Sequence, residues 1–354
     1  MAEPRWMIYG ANGYTGTLVA EEAVRRGHRP LLAARSREKV APVADRLGLS
    51  CVAFGLEEPT AVRAALEGVT VVLHAAGPFV FTSEPMIHGC LQAGASYADV
   101  TGEIPVFQRT FSFDTEARER GVCLMSGVGF DVVPTDCMAR YVADKLPSAT
   151  RLEIAFAAVG RPSAGTAKSA LEFLPKGNFV RRAGELVRVP PAHEIRQVRF
   201  YDRERTVMSI PWGDLETAYR STGIPDITTY MAQPPRVARI AKLTAPALSR
   251  ALAFGPVHAL TQKLIEKSVK GPDAEARRRG RSDVWVRATD SRGGEAEAWL
   301  TTIEGYEFTA RSSVRTVERI LELRPKGALT PSSAFGADFV LEIEGTKRFD
   351  RLPN

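Results

Sequence analysis

From Trp6 to Met125 short apolar runs alternate with longer stretches in which apolar positions recur at helical spacing. The runs Trp6–Tyr9, Leu31–Ala34, Cys51–Ala53, Val69–His74, Ser96–Val100 and Val122–Met125 predict strands. The stretches Thr17–Arg26, Glu38–Leu47, Thr60–Glu67, Glu84–Ala93 and Phe113–Arg120 predict helices. Such alternation implies a parallel sheet with right-handed crossovers, and it occupies about the first 130 residues.

Beyond Gly127 the rhythm changes. Strand patterns at Leu152–Val159, 198–201 and 207–210 are separated by a helical pattern over Ala167–Phe173. Asp283–Ala288 and Glu297–Thr302 flank Asp290-Ser291-Arg292-Gly293-Gly294, which is a hairpin signal. The expected fold is α/β: a Rossmann-type parallel sheet domain over 1–130, then an α+β domain over 131–329 built on a mainly antiparallel sheet. Residues 330–354 form a C-terminal segment expected to return to the first domain. Inside the second domain, 236–270 is apolar, is interrupted by Pro246 and Pro256, and carries Arg239, Lys242, Arg250, Lys263 and Lys267. It reads as short amphipathic helices that either cap the domain or face lipid. Arg277-Arg278-Arg279-Gly280-Arg281 reads as a solvated loop, with docking of an acidic carrier protein as the alternative.

Composition adds bounds. The 354 residues are 44% hydrophobic and 25% charged, an ordinary globular balance with length enough for two cores. A net charge of +6 suits anionic partners such as a phosphorylated cofactor, a carrier protein or a membrane surface. No aromatic-interleaved basic stripe points to nucleic acid. Residues 1–6 leave no room for a signal peptide before the first strand and no apolar run approaches membrane-spanning length, so the expected location is the cytoplasm, with peripheral membrane association as the alternative. Cys51, Cys90, Cys123 and Cys137 lack metal-ligand spacing and read as small buried hydrophobes, so no metal site is expected.

The candidate chemistry begins where the first strand ends. Gly10-Ala11-Asn12-Gly13-Tyr14-Thr15-Gly16 joins strand to helix as a dinucleotide-binding turn does. Gly10 permits the turn, Gly13 the approach of a pyrophosphate, and Gly16 close packing of the helix, whose positive end faces the phosphates. The next strand ends in Arg35-Ser36-Arg37, without the acid that would bond a ribose 2′-hydroxyl. Arg35 and Ser36, with positive potential from Lys39, instead suit a 2′-phosphate, which makes the expected cofactor NADPH/NADP. A solvated basic helix start is the plainer alternative.

Ala76, Gly77 and Pro78 follow the strand Val69–His74, where small side chains let a dinucleotide lie flat; His74 itself reads as a core histidine ahead of a catalytic one. In Tyr97-Ala98-Asp99-Val100-Thr101-Gly102-Glu103, Thr101 and Glu103 suit either the cofactor carboxamide and substrate or local side-chain to backbone bonds. Asp131, after Gly127 and Gly129, is a natural helix N-cap that is also open to a site role. Tyr141 and Lys145 share one helix face in the Tyr-x-x-x-Lys spacing of a short-chain dehydrogenase site, with Ser126 upstream. Candidates for proton delivery are Glu103, Asp131, Tyr97 and Tyr141.

Six blocks together carry a resemblance: Gly10–Gly16, Ala76–Phe79, Tyr97–Glu103, Gly129–Asp136, Ser163-Ala164-Gly165-Thr166, and Thr330–Phe339. With them the chain resembles, nearly end to end, the saccharopine dehydrogenase-like NADP-binding oxidoreductases, particularly the trans-acting enoyl reductases. Phe79 stands where Tyr is common in that family and Thr135 where Ser is common. The resemblance implies an NADPH-dependent reductase acting on a carbon–carbon double bond of an unsaturated lipid, polyketide or acyl substrate. Other branches act on imines or secondary amines such as saccharopine, and a non-catalytic NADP-binding lipid-surface protein is a further alternative. Arg161 and Lys168, flanking Ser163 and Thr166, would bind one carboxylate or phosphate, but no cluster suits an amino-dicarboxylate; the apolar 243–264 stretch suits a hydrophobic substrate, free or carrier-bound. Peripheral membrane contact and a homodimer remain alternatives for its associations.

Overall fold

A computed structural model describes residues 5–158, 162–173, 177–252 and 254–353. The apolar runs form β1 (Trp6–Tyr9), β2 (Leu31–Ala34), β3 (Cys51–Ala53), β4 (Val71–His74), β5 (Ser96–Asp99) and β6 (Cys123–Met125). Between them lie α1 (Tyr14–Arg25), α2 (Arg37–Leu47), α3 (Pro59–Ala65), α4 (Phe79–Ala93), α5 (Ile104–Ser112) and α6 (Asp114–Glu119). Helix α5 is not among the expected elements; Pro105 stands in its first turn, where the fixed φ of proline suits a helix.

The chain continues through α7 (Val133–Lys145), β7 (Arg151–Ala158), α8 (Ala164–Phe173), β8 (Asn178–Arg182), β9 (Glu185–Val189), β10 (Ile195–Arg199) and β11 (Glu204–Ser209). It follows with α9 (Asp214–Thr222), β12 (Asp226–Ala232), α10 (Pro235–Leu252), α11 (Gly255–Ser268), α12 (Ala274–Arg279), β13 (Arg281–Thr289) and β14 (Glu295–Ile303). Last come α13 (Gly305–Leu323), β15 (Gly327–Ala328), α14 (Pro331–Phe335) and β16 (Lys347–Phe349).

These elements make two units, Met1–Val133 with Tyr306–Phe335, and Pro134–Gly305 with Gly336–Asn354. In the first, seven parallel strands run in the order β15-β6-β5-β4-β1-β2-β3. The order reverses at β1, the topological switch point at which open α/β sheets bind ligands. β1 sends Ile8 to one face, with Val19 and Ala20 of α1 and Val314, Val317 and Ile320 of α13. It sends Met7 and Tyr9 to the other, with Val62 of α3 and Met86 and Ile87 of α4. Each such side chain contributes about 1.5–3 kcal/mol on burial.

The second unit holds a sheet in the order β10-β11-β12-β7-β13-β14-β16, with β8 pairing β12 and β9. Only β7 and β12 pair in parallel among its described strands. The expected hairpin at 290–294 joins β13 to β14, closed by Asp290, whose Oδ1 accepts from Arg292 and Gly294 N–H at 2.8 and 2.7 Å.

Three expectations change. The boundary expected at 329 falls elsewhere: α13, α14 and β15 belong to the first unit, while 336–354 belong to the second, with β16 on β14. The apolar stripe of α13 covers Ala98, Cys123 and Met125, a sheet face that local sequence leaves bare. Glu318 then ties α13 to α1, accepting from Arg26 Nε at 2.8 Å and lying 2.9 Å from His28 Nε2. Burial works to raise the pKa of Glu318, but the bonds from Arg26, His28 and Arg315 prevail and bring it to about 2. Finally, Arg277–Arg279 form the last turn of α12, where cations suit the helix dipole, and Asp273 caps its start at 2.8 Å; Arg281 begins β13.

An alanine at 16 would set its Cβ 2.2 Å from the Gly10 carbonyl oxygen, a backbone atom that has no rotamer to escape into. Gly16→Ala is therefore expected to cost about 1–3 kcal/mol, read as a lower urea midpoint. A wild-type midpoint would show that α1 does not depend on this close approach.

Candidate active site

The C-terminal edge of the parallel sheet gathers most of the predicted residues. Gly10 turns out of β1 with φ +86°, and a Cβ there would meet Ala76 N at 2.8 Å. Gly10 N–H and Ala75 N–H donate to Ala33 and Tyr9 carbonyls at 2.7 and 2.8 Å, joining the loop to both neighbouring strands. Gly13 precedes α1 without any capping side chain, so the first-turn N–H groups of Tyr14, Thr15 and Gly16 face outward as an anion cradle. Asn12 beside them is exposed. Arg35 and Lys39 are exposed at the end of β2 and the start of α2, with Ser36 as an N-cap residue that makes no capping bond. Among the described residues, Arg35, Arg37 and Lys39 have no ion-pair partner in reach, which leaves three cations for an anionic ligand. The cradle and the cations fit a phosphorylated dinucleotide.

Asp99, at the end of β5, is the structural centre of the edge. Its Oδ1 accepts from Thr101 N–H at 2.9 Å and Gly127 N–H at 3.1 Å, and its Oδ2 from Tyr97 and Ser126 hydroxyls at 2.8 and 2.7 Å. Burial pushes its pKa up to about 6, against the pull of those four donors. Sequence reasoning passes over Asp99 because its four donors come from residues that only the fold and the local turn bring to it.

That network changes the roles expected of three neighbours. Tyr97 is wholly buried, its hydroxyl spent on Asp99, and burial followed by the Asp99 charge drives its pKa well up. The Thr101 Oγ1 accepts from Glu103 N–H at 3.0 Å. Glu103 is buried, and its two carboxylate oxygens accept from Phe79 and Val80 N–H at 3.0 and 2.8 Å. It therefore caps α4, whose N-cap is Pro78, a residue with no side chain to offer. Thr101, Tyr97 and Glu103 are thus each engaged in hydrogen bonds within the sheet edge. Gly77 and Ala76 lie in the loop before that cap, where the Ala76 carbonyl accepts from Thr82 Oγ1 at 2.7 Å. The same hydroxyl lies 3.0 Å from His74 Nε2; burial lowers the pKa of His74 to about 3, so it is a neutral core histidine.

Asp131 differs from all of these. It is partly buried in the turn after β6, burial raises its pKa to about 7, and among the described residues its carboxyl has no hydrogen-bond partner. It does not cap α7 with its side chain. Its Oδ2 would lie 3.1 Å from a Cβ at Gly102, so the carboxyl packs closely over that glycine. The next residue, Val132, sits at φ +148°, a strained value for a β-branched residue and of the kind that concentrates at functional sites. The turn is braced by α13: Thr309 Oγ1 accepts from Phe130 N–H at 3.0 Å and Ser312 Oγ donates to the Val128 carbonyl at 2.8 Å. Neither bracing residue carries a sequence signal, since both are small polar positions, 179 and 184 residues downstream of their partners.

Tyr141 belongs to the second unit. Its hydroxyl donates to Asp350 at 2.9 Å and the Lys145 ammonium to the same carboxylate at 2.6 Å, while the Arg348 guanidinium lies 3.5 Å from the phenol ring centroid. The short-chain dehydrogenase arrangement is not what these two side chains form here, because the Tyr141 hydroxyl and the Lys145 ammonium both donate to the Asp350 carboxylate. Lys168 lies on α8, where Ser163 Oγ accepts from Thr166 N–H at 3.2 Å; Arg161 and Val159 are outside the described residues.

A family model described as NAD(P)H-binding matches residues 10–96. The chain is 29% identical over 238 residues to a saccharopine dehydrogenase-like oxidoreductase from Bos taurus, covering 58% of this chain and 56% of that one. It is 31% identical over 138 residues to a trans-acting enoyl reductase from Mycobacterium bovis, covering 37% of this chain and 33% of the relative. The chain thus spans about half or less of the length of these relatives. A saccharopine dehydrogenase (L-Glu forming) structure from Saccharomyces cerevisiae has the same fold, with TM-score 0.67 at 11% identity over 98% of this chain and 100% of that one.

Removing the Glu103 cap leaves two buried donors at the start of α4 unpaired. Glu103→Ala is expected to destabilise the protein by about 1–3 kcal/mol in urea unfolding, and Glu103→Gln by less, since an amide keeps one acceptor. Equal stability of all three proteins would contradict the capping role.

Proposed function

We propose that this chain, an NAD(P)-binding oxidoreductase similar to saccharopine dehydrogenase-like oxidoreductases and trans-acting enoyl reductases, is an NADPH-dependent reductase of a carbon–carbon double bond. Its substrate is an unsaturated lipid, polyketide or acyl compound. The observation that carries the reading is the carboxyl of Asp131, whose pKa burial raises to about 7 and which has no hydrogen-bond partner among the described residues. When bound, the cofactor supplies a hydride to one carbon of the double bond. The carboxyl of Asp131 delivers the proton to the adjacent carbon and is left as a carboxylate for solvent to reprotonate. Gly102 lets that carboxyl pack closely against the backbone. The open first turn of α1 holds the pyrophosphate, Arg35 and Ser36 hold the 2′-phosphate, and Lys39 adds positive potential.

Replacing Arg35 tests the cofactor assignment. Arg35→Ala should weaken NADPH binding about 10- to 100-fold, as loss of a hydrogen-bonded charge implies, and leave NADH binding nearly unchanged. Equal affinity of the wild type for both cofactors would remove the 2′-phosphate from the proposal.

For Asp131, an acid must be protonated to act, so single-turnover hydride transfer should decline as pH rises through about 7. Asp131→Asn should slow it roughly 100- to 10,000-fold and abolish that limb. The folded pKa lies above the unfolded value of 3.8, so the stability linked to this group is full at low pH and is lost as pH rises through about 7. Asp131→Asn should accordingly raise the urea midpoint above wild type at alkaline pH, with the difference closing in acid. An unchanged pH–rate profile in the variant would exclude Asp131 as the proton donor.

A further inference from the structure

The helices α10 and α11 leave an unusual surface exposed. On α10, Ile240, Leu243 and Leu248 point outward at helical spacing, and Leu243 is 81% exposed. On α11 and just before it, Phe254, Leu260 and Leu264 do the same. The opposite side of α11 is spent within the second unit: His258 Nε2 and Gln262 Nε2 reach Glu172 of α8 at 3.2 and 3.5 Å. The outward stripe is therefore not the inner face of a misassigned core helix. Globular surfaces rarely leave so many large apolar side chains together without an occupant.

Charge identifies that occupant. Residues 236–270 contain seven Lys and Arg against one Glu, a net +6 that equals the formal net charge of the whole chain. All of the excess positive charge is thus concentrated on the segment that also exposes the apolar stripe. Arg236, Arg239, Lys242, Lys263 and Lys267 are exposed there, with stems long enough to lie along apolar surface while their heads reach anionic groups. No helix among the described residues is long and apolar enough to cross a membrane. An acidic protein would pair with the cations but would not itself account for the exposed leucines and phenylalanine; a bilayer with anionic headgroups accounts for both.

We propose that α10 and α11 dock this protein on an anionic lipid surface, their apolar stripe at the acyl boundary and their cations among the headgroups. This goes beyond the reductase reading and does not depend on it. The test is flotation of the full chain with vesicles of phosphatidylcholine containing about 30% phosphatidylglycerol, with pure phosphatidylcholine as comparison. Binding is expected to the first, to fall at least tenfold on the second, and to fall similarly in about 0.5 M salt. Leu243→Glu with Leu260→Glu should reduce vesicle binding at least tenfold with far-ultraviolet circular dichroism and NADPH affinity unchanged, and Lys242→Gln with Lys263→Gln should do so more weakly. Absence of binding to the anionic vesicles, or binding that the double glutamate variant leaves intact, would overturn the proposal. So would a dimer in light scattering that the same variant splits, because a second copy would then cover the stripe.

Discussion

One buried carboxylate organises the edge of the parallel sheet. Asp99 accepts four hydrogen bonds, two from hydroxyls and two from backbone N–H groups, and so fixes the ends of β5 and β6 together. Such a charge is tolerated in the interior only when its donors are complete, because an unmet one leaves the desolvation of the carboxylate uncompensated. The turn at 127–132 and the local chain from Thr101 to Glu103 inherit their positions from it, and through Glu103 so does the start of α4.

Hydrogen-bond completeness also separates the acids by role. Asp99 accepts four hydrogen bonds, and Glu103 accepts one at each oxygen from the start of α4. Asp131 occupies the same sheet edge, yet burial alone raises its pKa, and no partner among the described residues stabilises its ionised form. Strain at Val132 and close packing over Gly102 accompany it. The phenol of Tyr141 is engaged by Asp350, a pairing in which Lys145 serves the carboxylate.

Positive charge is likewise divided. The cations at 35, 37 and 39 stand at the end of a strand where a cofactor phosphate binds in folds of this kind. Those of 236–270 accompany exposed apolar side chains, an arrangement that favours a surface with both charge and a hydrocarbon boundary. The arginines of α12 belong to neither group, since they end a short helix in the favourable field of its carbonyl terminus.

Much of this was legible along the chain because it is local. The strand–turn–helix at 6–25, the glycine at 16 and the hairpin at 290–294 depend on residues within a few positions of one another, so period and turn chemistry determine them. The absence of an acid after β2 is local too, and it directs attention to Arg35. Helix α13 and strand β15 fall in the first unit and not in the domain expected over 131–329, because which sheet face an element covers depends on contacts with distant segments. The roles of Tyr97, Thr101 and Glu103 likewise lay beyond sequence reasoning, since each depends on donors that the fold brings from elsewhere. The sequence by itself determined the nucleotide-binding turn and the alternating elements of the first 130 residues; tertiary structure alone decided which candidate acid has no hydrogen-bond partner among the described residues, because hydrogen bonds between distant segments leave no periodic trace in the order of residues.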